Sequence, residues 1–232
     1  MILRSHMKVQ KKTKSRSKSL RKAPEQERSK ALVEALIRTT ARILLRDGWH
    51  GLSTNRVARE AGVSVGSLYQ YFPNKDALVH ALVVDLAEQM GDELVALGKS
   101  LLGAPLDKGV DAIVRAALDT ARKEGPLFRA VLVELPRIGA LEAFDRLNRR
   151  TADALAEWIA SRRHELDIAD PSLTAHVLVT ALDALTDQAL VFRPELLQSA
   201  RFEEELRKLV AGYLGVPRTP APSRHRAPRK AP

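Results

Sequence analysis

Cysteine is missing from all 232 residues. Disulfides, thiol catalysis and cysteine-based zinc sites are thereby excluded, and the redox compartment is left open. The six histidines are scattered, with no pair at the i, i+4 spacing that would set two imidazoles on one helical face. No glycine-rich phosphate loop and no Gly-x-Ser-x-Gly elbow occurs. Carboxylates are plentiful, but they lie among basic residues as on solvated helix faces. Neither an enzyme nor a metal or cofactor is expected. No apolar run reaches the roughly 18 residues of a membrane span, and no signal-peptide pattern precedes the first expected helix. A soluble cytoplasmic protein without a membrane partner is the expectation. No segment alternates apolar and polar residues for long enough to form a strand, so the fold should be all-α.

Positive charge is in excess, and it is unevenly placed. Residues 1–22 hold nine Lys or Arg and residues 217–232 hold five, with no acid in either stretch. Residues 23–216 hold 24 basic against 28 acidic side chains. Within them, 23–78 carries a net +2 and 79–216 a net −6. Positive charge on the tails and slightly on the head suits phosphate contact at one end of the molecule. Basic tails can also serve solubility alone. Met1 to His6 reads as a cloning remnant ahead of a natural start at Met7.

Residues 8–24 have almost no apolar side chains and should be disordered when free. The first helix is expected from Glu27 to Arg46, with Leu32, Leu36, Ile43 and Leu44 on one face and Asp47-Gly48 as its stop. Ser53 or Thr54 caps a second helix through Ala61. Gly62 permits a sharp turn, Val63 plugs it, and Ser64 caps a third helix over Val65–Phe72. Leu68 and Phe72, four apart, turn inward, which leaves Val65, Gly66, Ser67, Tyr69, Gln70 and Tyr71 facing out. Pro73 breaks the run, and Asn74 caps a long helix from Lys75 to Gly98. Further helices are expected at Leu106–Lys123, Pro126–Leu135, Leu141–Glu165, Pro171–Phe192 and Arg201–Leu214, before a disordered tail rich in Pro, Arg and Ala.

Two short helices joined by a tight turn, followed by the capped start of another, form the layout that offers a helix to the DNA major groove. Ser67, Gln70 and the hydroxyls of Tyr69 and Tyr71 can read base edges, Val65 can meet a thymine methyl, and Gly66 holds nothing away. This helix has no Arg or Lys. Attraction to phosphate therefore falls to Lys75 and the helix end it opens, to Arg56, and to the basic arm. Thr54 and Asn55 face where a backbone or base edge would lie. The plainer alternative, an aromatic corner that only packs, fits poorly with the basic arm and the long capped helix.

Ala58-x-x-Ala61-Gly-Val-Ser64-x-Gly66-x-Leu68-Tyr69-x-Tyr71-Phe72-x-x-Lys75-x-x-Leu78, behind an amphipathic first helix, resembles the DNA-binding region of TetR-family (TetR/AcrR-like) transcriptional regulators. The resemblance covers residues 28–80 in detail. Beyond them it rests on the number and length of helices and on Phe192-Arg-Pro-Glu before the last one. It implies a bacterial homodimer that binds a palindromic operator in double-stranded DNA, usually as a repressor, and is released by a small-molecule effector. It also implies that the long helix after Lys75 couples the head to a ligand-binding domain. It sets Thr54, Asn55, Val65, Gly66, Ser67, Tyr69, Tyr71 and Lys75 against DNA. Some members carry arginine at the place of Asn55, so base preference there is not inherited. A DNA-organising protein of the same fold without an effector is the alternative.

The domain organisation expected is a basic arm at 1–24, a helix-turn-helix DNA-binding head at 25–78, a helical regulatory and dimerisation body at 79–216, and a basic tail at 217–232. Two-fold symmetry would double the contacts and set half-site spacing. The stripes Leu178, Ala181, Leu182, Leu185, Ala189 and Leu206, Leu209, Val210, Tyr213 are expected to join those of a second subunit in a four-helix bundle, unless they face their own core. Phe128, Leu132, Phe144, Trp158, His176 and Phe192 are candidates for an apolar ligand cavity, though each could be ordinary core. Thr180, Asp183, Thr186, Asp187 and Gln188 would orient a ligand or form a solvated stripe.

Overall fold

A computed structural model of the protein describes residues 19–216. The expected arm up to residue 18 and the tail from 217 lie outside the described residues. Among the described residues the chain forms nine α-helices and no strand. The helices are α1 (Ser19–Gly51), α2 (Thr54–Ala61), α3 (Val65–Tyr69), α4 (Lys75–Ser100), α5 (Leu106–Val131), α6 (Leu135–Ile138), α7 (Leu141–Ser161), α8 (Pro171–Phe192) and α9 (Ala200–Tyr213).

Four boundaries differ from the sequence reading, each for a local reason. First, α1 begins at Ser19, not near Glu27. Leu20, Arg21, Lys22 and Ala23 are good helix formers by intrinsic propensity, and the helix runs on past Pro24, which gives up one hydrogen bond of the ladder. Its far end breaks at Gly48, where φ is 66°. Second, α3 stops at Tyr69 rather than Phe72. Tyr71 and Phe72 both donate to the Leu68 carbonyl, at 3.0 and 2.9 Å, and close a turn. Pro73 biases the residue before it away from the helical region. Third, α5 passes through Pro126 instead of stopping before it. Gly125, Leu127 and Val131 are buried on both sides of the proline, and their packing holds the helix together across the missing hydrogen bond. Fourth, α7 ends at Ser161, short of Glu165. There the Arg162 guanidinium binds the Ala104 carbonyl and Glu165 and pins a turn.

Two apolar cores result. One joins α1–α4 to the end of α5, to α6 and to the start of α7, through Leu36, Ile43, Leu68, Leu78, Leu127, Leu135 and Leu147. The other lies among α5, α7, α8 and α9, around Trp158, Ile159, Leu178 and Val210. The head core thus continues past Leu78 into α5–α7, so α2 and α3 rest on the same packed mass as the ends of those helices. By length and composition alone α8, with a mean hydropathy of 1.3, is apolar enough to cross a membrane. Its buried Ala175, Leu178, Leu182, Ala189 and Leu190 account for that character as core packing.

Candidate nucleic-acid interface

Side chains close each junction of the head. The Ser53 hydroxyl accepts from the Arg56 amide at 3.3 Å, Ser64 from Ser67 at 3.0 Å, and the Asn74 side chain from Ala77 at 2.8 Å. Each such cap contributes about 1 kcal/mol by satisfying an amide the helix leaves free. Gly62 ends α2 with φ at 71°, a left-handed backbone that a side chain disfavours. Val57, Ala58 and Leu68 are fully buried, so α2 and α3 are held from beneath.

The opposite surface is open. Val65 is 40% exposed, Tyr69 50% and Tyr71 38%, and Asn55, Ser64, Gly66 and Gln70 are exposed as well. Thr54 and Ser67 are half-buried. The two tyrosines are aimed, not loose. The Tyr69 hydroxyl shares a hydrogen bond with Thr54 at 3.1 Å, and Tyr71 shares one with Ser29 of α1 at 2.6 Å.

Arg56, expected to meet phosphate, is engaged internally. Its guanidinium donates to the Gly51 carbonyl at 3.0 Å, to Asp47 at 2.6 Å and to Glu60 at 3.0 Å. Hydrogen bonds from Arg46 and then Arg56 hold the Glu60 carboxyl below its usual range. Arg56 therefore braces α2 against the end of α1. Lys75 sits 4.4 Å above the Trp49 ring, and Arg137 of α6 lies 5.2 Å from the same ring. Arg137 also grips Asp76, in the first turn of α4, with two nitrogens, one at 3.0 Å. That pairing keeps Asp76 below the usual carboxylate range. Sequence reasoning missed this cluster, because Trp49, Asp76 and Arg137 stand in no shared motif.

Behind the head, α4, α5, α6, α7 and α8 border a cavity of about 410 Å³. Of the sequence candidates, Phe128, Leu132, Phe144 and Trp158 line it. His176 and Phe192 do not: His176 is exposed, and Phe192 is 75% exposed at the end of α8. Phe128 and Phe144 meet edge to face with centroids 5.4 Å apart. Asp183, Thr186 and Asp187 also line it, whereas Thr180 and Gln188 face outward. Burial, and then the charge of Asp187, push the Asp183 carboxyl up to about 7, with Asn148 opposing.

The stripes expected to join a second subunit are mostly turned the other way. Leu178, Leu182, Ala189, Leu206 and Val210 are buried in the chain's own core. Only Leu209 and Tyr213 are exposed, at 39% and 49%, while Leu185 is half-buried. The uncovered apolar side chains of α8 are instead Leu173, Val177 and Phe192.

Residues 36–82 match the bacterial regulatory proteins of the tetR family, and residues 105–214 match the tetracyclin repressor-like C-terminal domain. The HTH-type transcriptional regulator BetI of Cronobacter sakazakii is 29% identical over 181 residues, covering 75% of this chain and 85% of that one. The nucleoid occlusion factor SlmA of Pasteurella multocida is 28% identical over 138 residues, covering 56% and 68%. A TetR-family transcriptional regulator of Streptomyces coelicolor superposes with a TM-score of 0.58 at 25% identity, over 81% of this chain and 97% of its own. NemR of E. coli does so at 0.62 and 21% identity, over 81% and 100%.

Proposed function

The chain belongs to the TetR family of transcriptional regulators, and we propose that it is a homodimeric repressor that binds a palindromic operator and leaves it when a small molecule enters the cavity. The outward face of α3 carries this reading. Val65, Tyr69 and Tyr71 are exposed above a fully buried Leu68, so an aromatic, hydrogen-bonding surface is held in place from beneath and faces outward. In this reading Ser67, Tyr69, Gln70 and Tyr71 meet base edges, and Val65 meets a methyl. Gly66 lets the backbone approach, and Thr54, Asn55, Ser64 and Lys75 border the groove. Arg56 acts from behind, by fixing α2.

Control follows from the position of the cavity wall. Leu132, Leu135 and Pro136 line the cavity, and Arg137, the next residue, holds Asp76 at the start of α4. A ligand that favours one placement of this wall over another shifts α4, and with it the distance between two reading helices in a dimer. The dimer face in this reading is formed by Leu173, Val177, Phe192, Leu209 and Tyr213.

Selecting genomic fragments with the purified full-length protein and sequencing them tests the proposal. A palindrome with half-sites about one helical turn apart is expected. Tyr69→Ala should weaken binding to it roughly 100-fold or more with the melting temperature unchanged. Fragments without a shared motif would overturn it. The likeness to SlmA favours a second reading, a nucleoid-associated DNA-organising protein without an effector. A specificity ratio well below about 10³ at physiological salt would select that reading.

A further inference from the structure

The cavity is chemically lopsided. Its charged lining consists of Glu124, Asp183 and Asp187, with no Lys, Arg or His. Glu124 is neutralised from outside the cavity by Lys123, 3.2 Å away. Among the described residues Asp183 and Asp187 make no ion pair. Thr120 of α5, Asn148 and Thr151 of α7 and Thr186 of α8 are its uncharged polar side chains, and Leu86 and Met90 line the α4 side with hydrocarbon. Asp187 is exposed and Asp183 half-buried, so the Asp183 carboxylate gives up much of its water without gaining a counter-charge, which is unfavourable. Asn or Leu at this position would avoid that cost, which makes the acid a candidate for a role beyond stability. The lining holds one more polar group without a partner: Trp158 is wholly buried and its Nε1–H has no acceptor.

A ligand with a fixed positive charge removes the cost that Asp183 imposes. A neutral ligand leaves that cost standing, and an anion adds to it. The remaining wall is aliphatic and aromatic, and it rewards an apolar body; the rings of Phe128 and Phe144 add attraction for a cation. We propose, resting on the effector reading above, that the cavity takes a lipophilic monocation, with Asp183 as its counter-ion and Asp187 as a second carboxylate along its path.

Three ten-carbon probes that differ only in their head group test this: decylamine, decanol and decanoate, each titrated calorimetrically into the full-length protein at about pH 8, without DNA. Decylamine should bind roughly 10–100-fold tighter than decanol, and decanoate more weakly than either. Asp183→Asn, which relieves an unfavourable burial and so should fold, should bring decylamine down to the level of decanol and leave decanol unchanged. Decylamine binding should also strengthen between about pH 6 and pH 8, because Asp183 ionises there while an alkylammonium stays charged. Equal affinities for all three probes, a preference for decanoate, or an undiminished cation preference in Asp183→Asn would each overturn the proposal. Decanol binding without a preference for decylamine would sink only the cation assignment and leave an effector cavity. No binding by any probe would remove the cavity from the regulatory reading as well, while operator selection stands as its separate test.

Discussion

At Gly109 a missing methyl group decides how closely α5 approaches α7. A Cβ there would lie 2.2 Å from Cζ2 of Trp158, whose indole is fully buried and cannot swing away. Gly109→Ala should cost about 1–3 kcal/mol, and the thermal midpoint should drop by several degrees in a calorimetric scan. Asp183 exerts an effect of another kind. Its carboxyl is raised from 3.8 to about 7 in the folded protein. Between those values the native state holds a proton that the unfolded chain has released, so stability declines as pH rises through this window and is restored on acidification. Asp183→Asn removes the titration. The variant should melt above the parent at about pH 8, by on the order of 2–4 kcal/mol at most, and level with it near pH 4. Parallel melting curves at both values would mean that the carboxylate is solvated.

At the scale of elements, α6 matters beyond its four residues. Leu135 and Pro136 face the cavity, and Arg137 reaches Asp76 and Trp49 on the head side. Half-exposed ion pairs contribute little to stability, so losing this one should change the melting temperature by no more than a degree or two. Its expected role is geometric, since it ties the cavity wall to the start of α4. Arg137→Ala should therefore bind operator within about threefold of the parent and resist release by ligand. Fluorescence anisotropy on labelled operator, with ligand added, separates the two properties. Undiminished release in the variant would place the coupling elsewhere along α4.

At the scale of the molecule, the proposed dimer needs a face for a second copy. Val177 and Tyr213 are exposed on α8 and α9, whereas Leu178, the next residue along α8, is 1% exposed. Val177→Glu combined with Tyr213→Glu should yield a folded monomer by size-exclusion chromatography with light scattering. Operator affinity should fall roughly 100-fold or more as the second half-site contact is lost. Leu178→Glu should instead unfold the chain, because the charge would enter its own core. A dimer that survives the double substitution would move the interface off these helices.

The helices of the head, the caps Ser64 and Asn74, the left-handed turn at Gly62 and the outward set on α3 could be read from the sequence, and the α2 cap was narrowed to Ser53 or Thr54. Each depends on residues within a few positions of one another, and hydrogen bonds at that range follow from side-chain chemistry alone. The direction in which an apolar stripe points could not be read. Periodicity marks the greasy side of a helix, yet α8 carries apolar side chains on more than one face, and its buried face was expected to be the shared one. The cavity was half legible: its aromatic residues and Asp183 drew notice, but whether Asp183 faced a cavity or formed part of a solvated stripe was decided only by the packing of α4, α5 and α7 around α8. The Arg137–Asp76 link spans 61 residues of chain. Contacts at that separation depend on how whole helices pack. Packing is decided by the joint fit of many surfaces, and no local stretch of sequence encodes that fit.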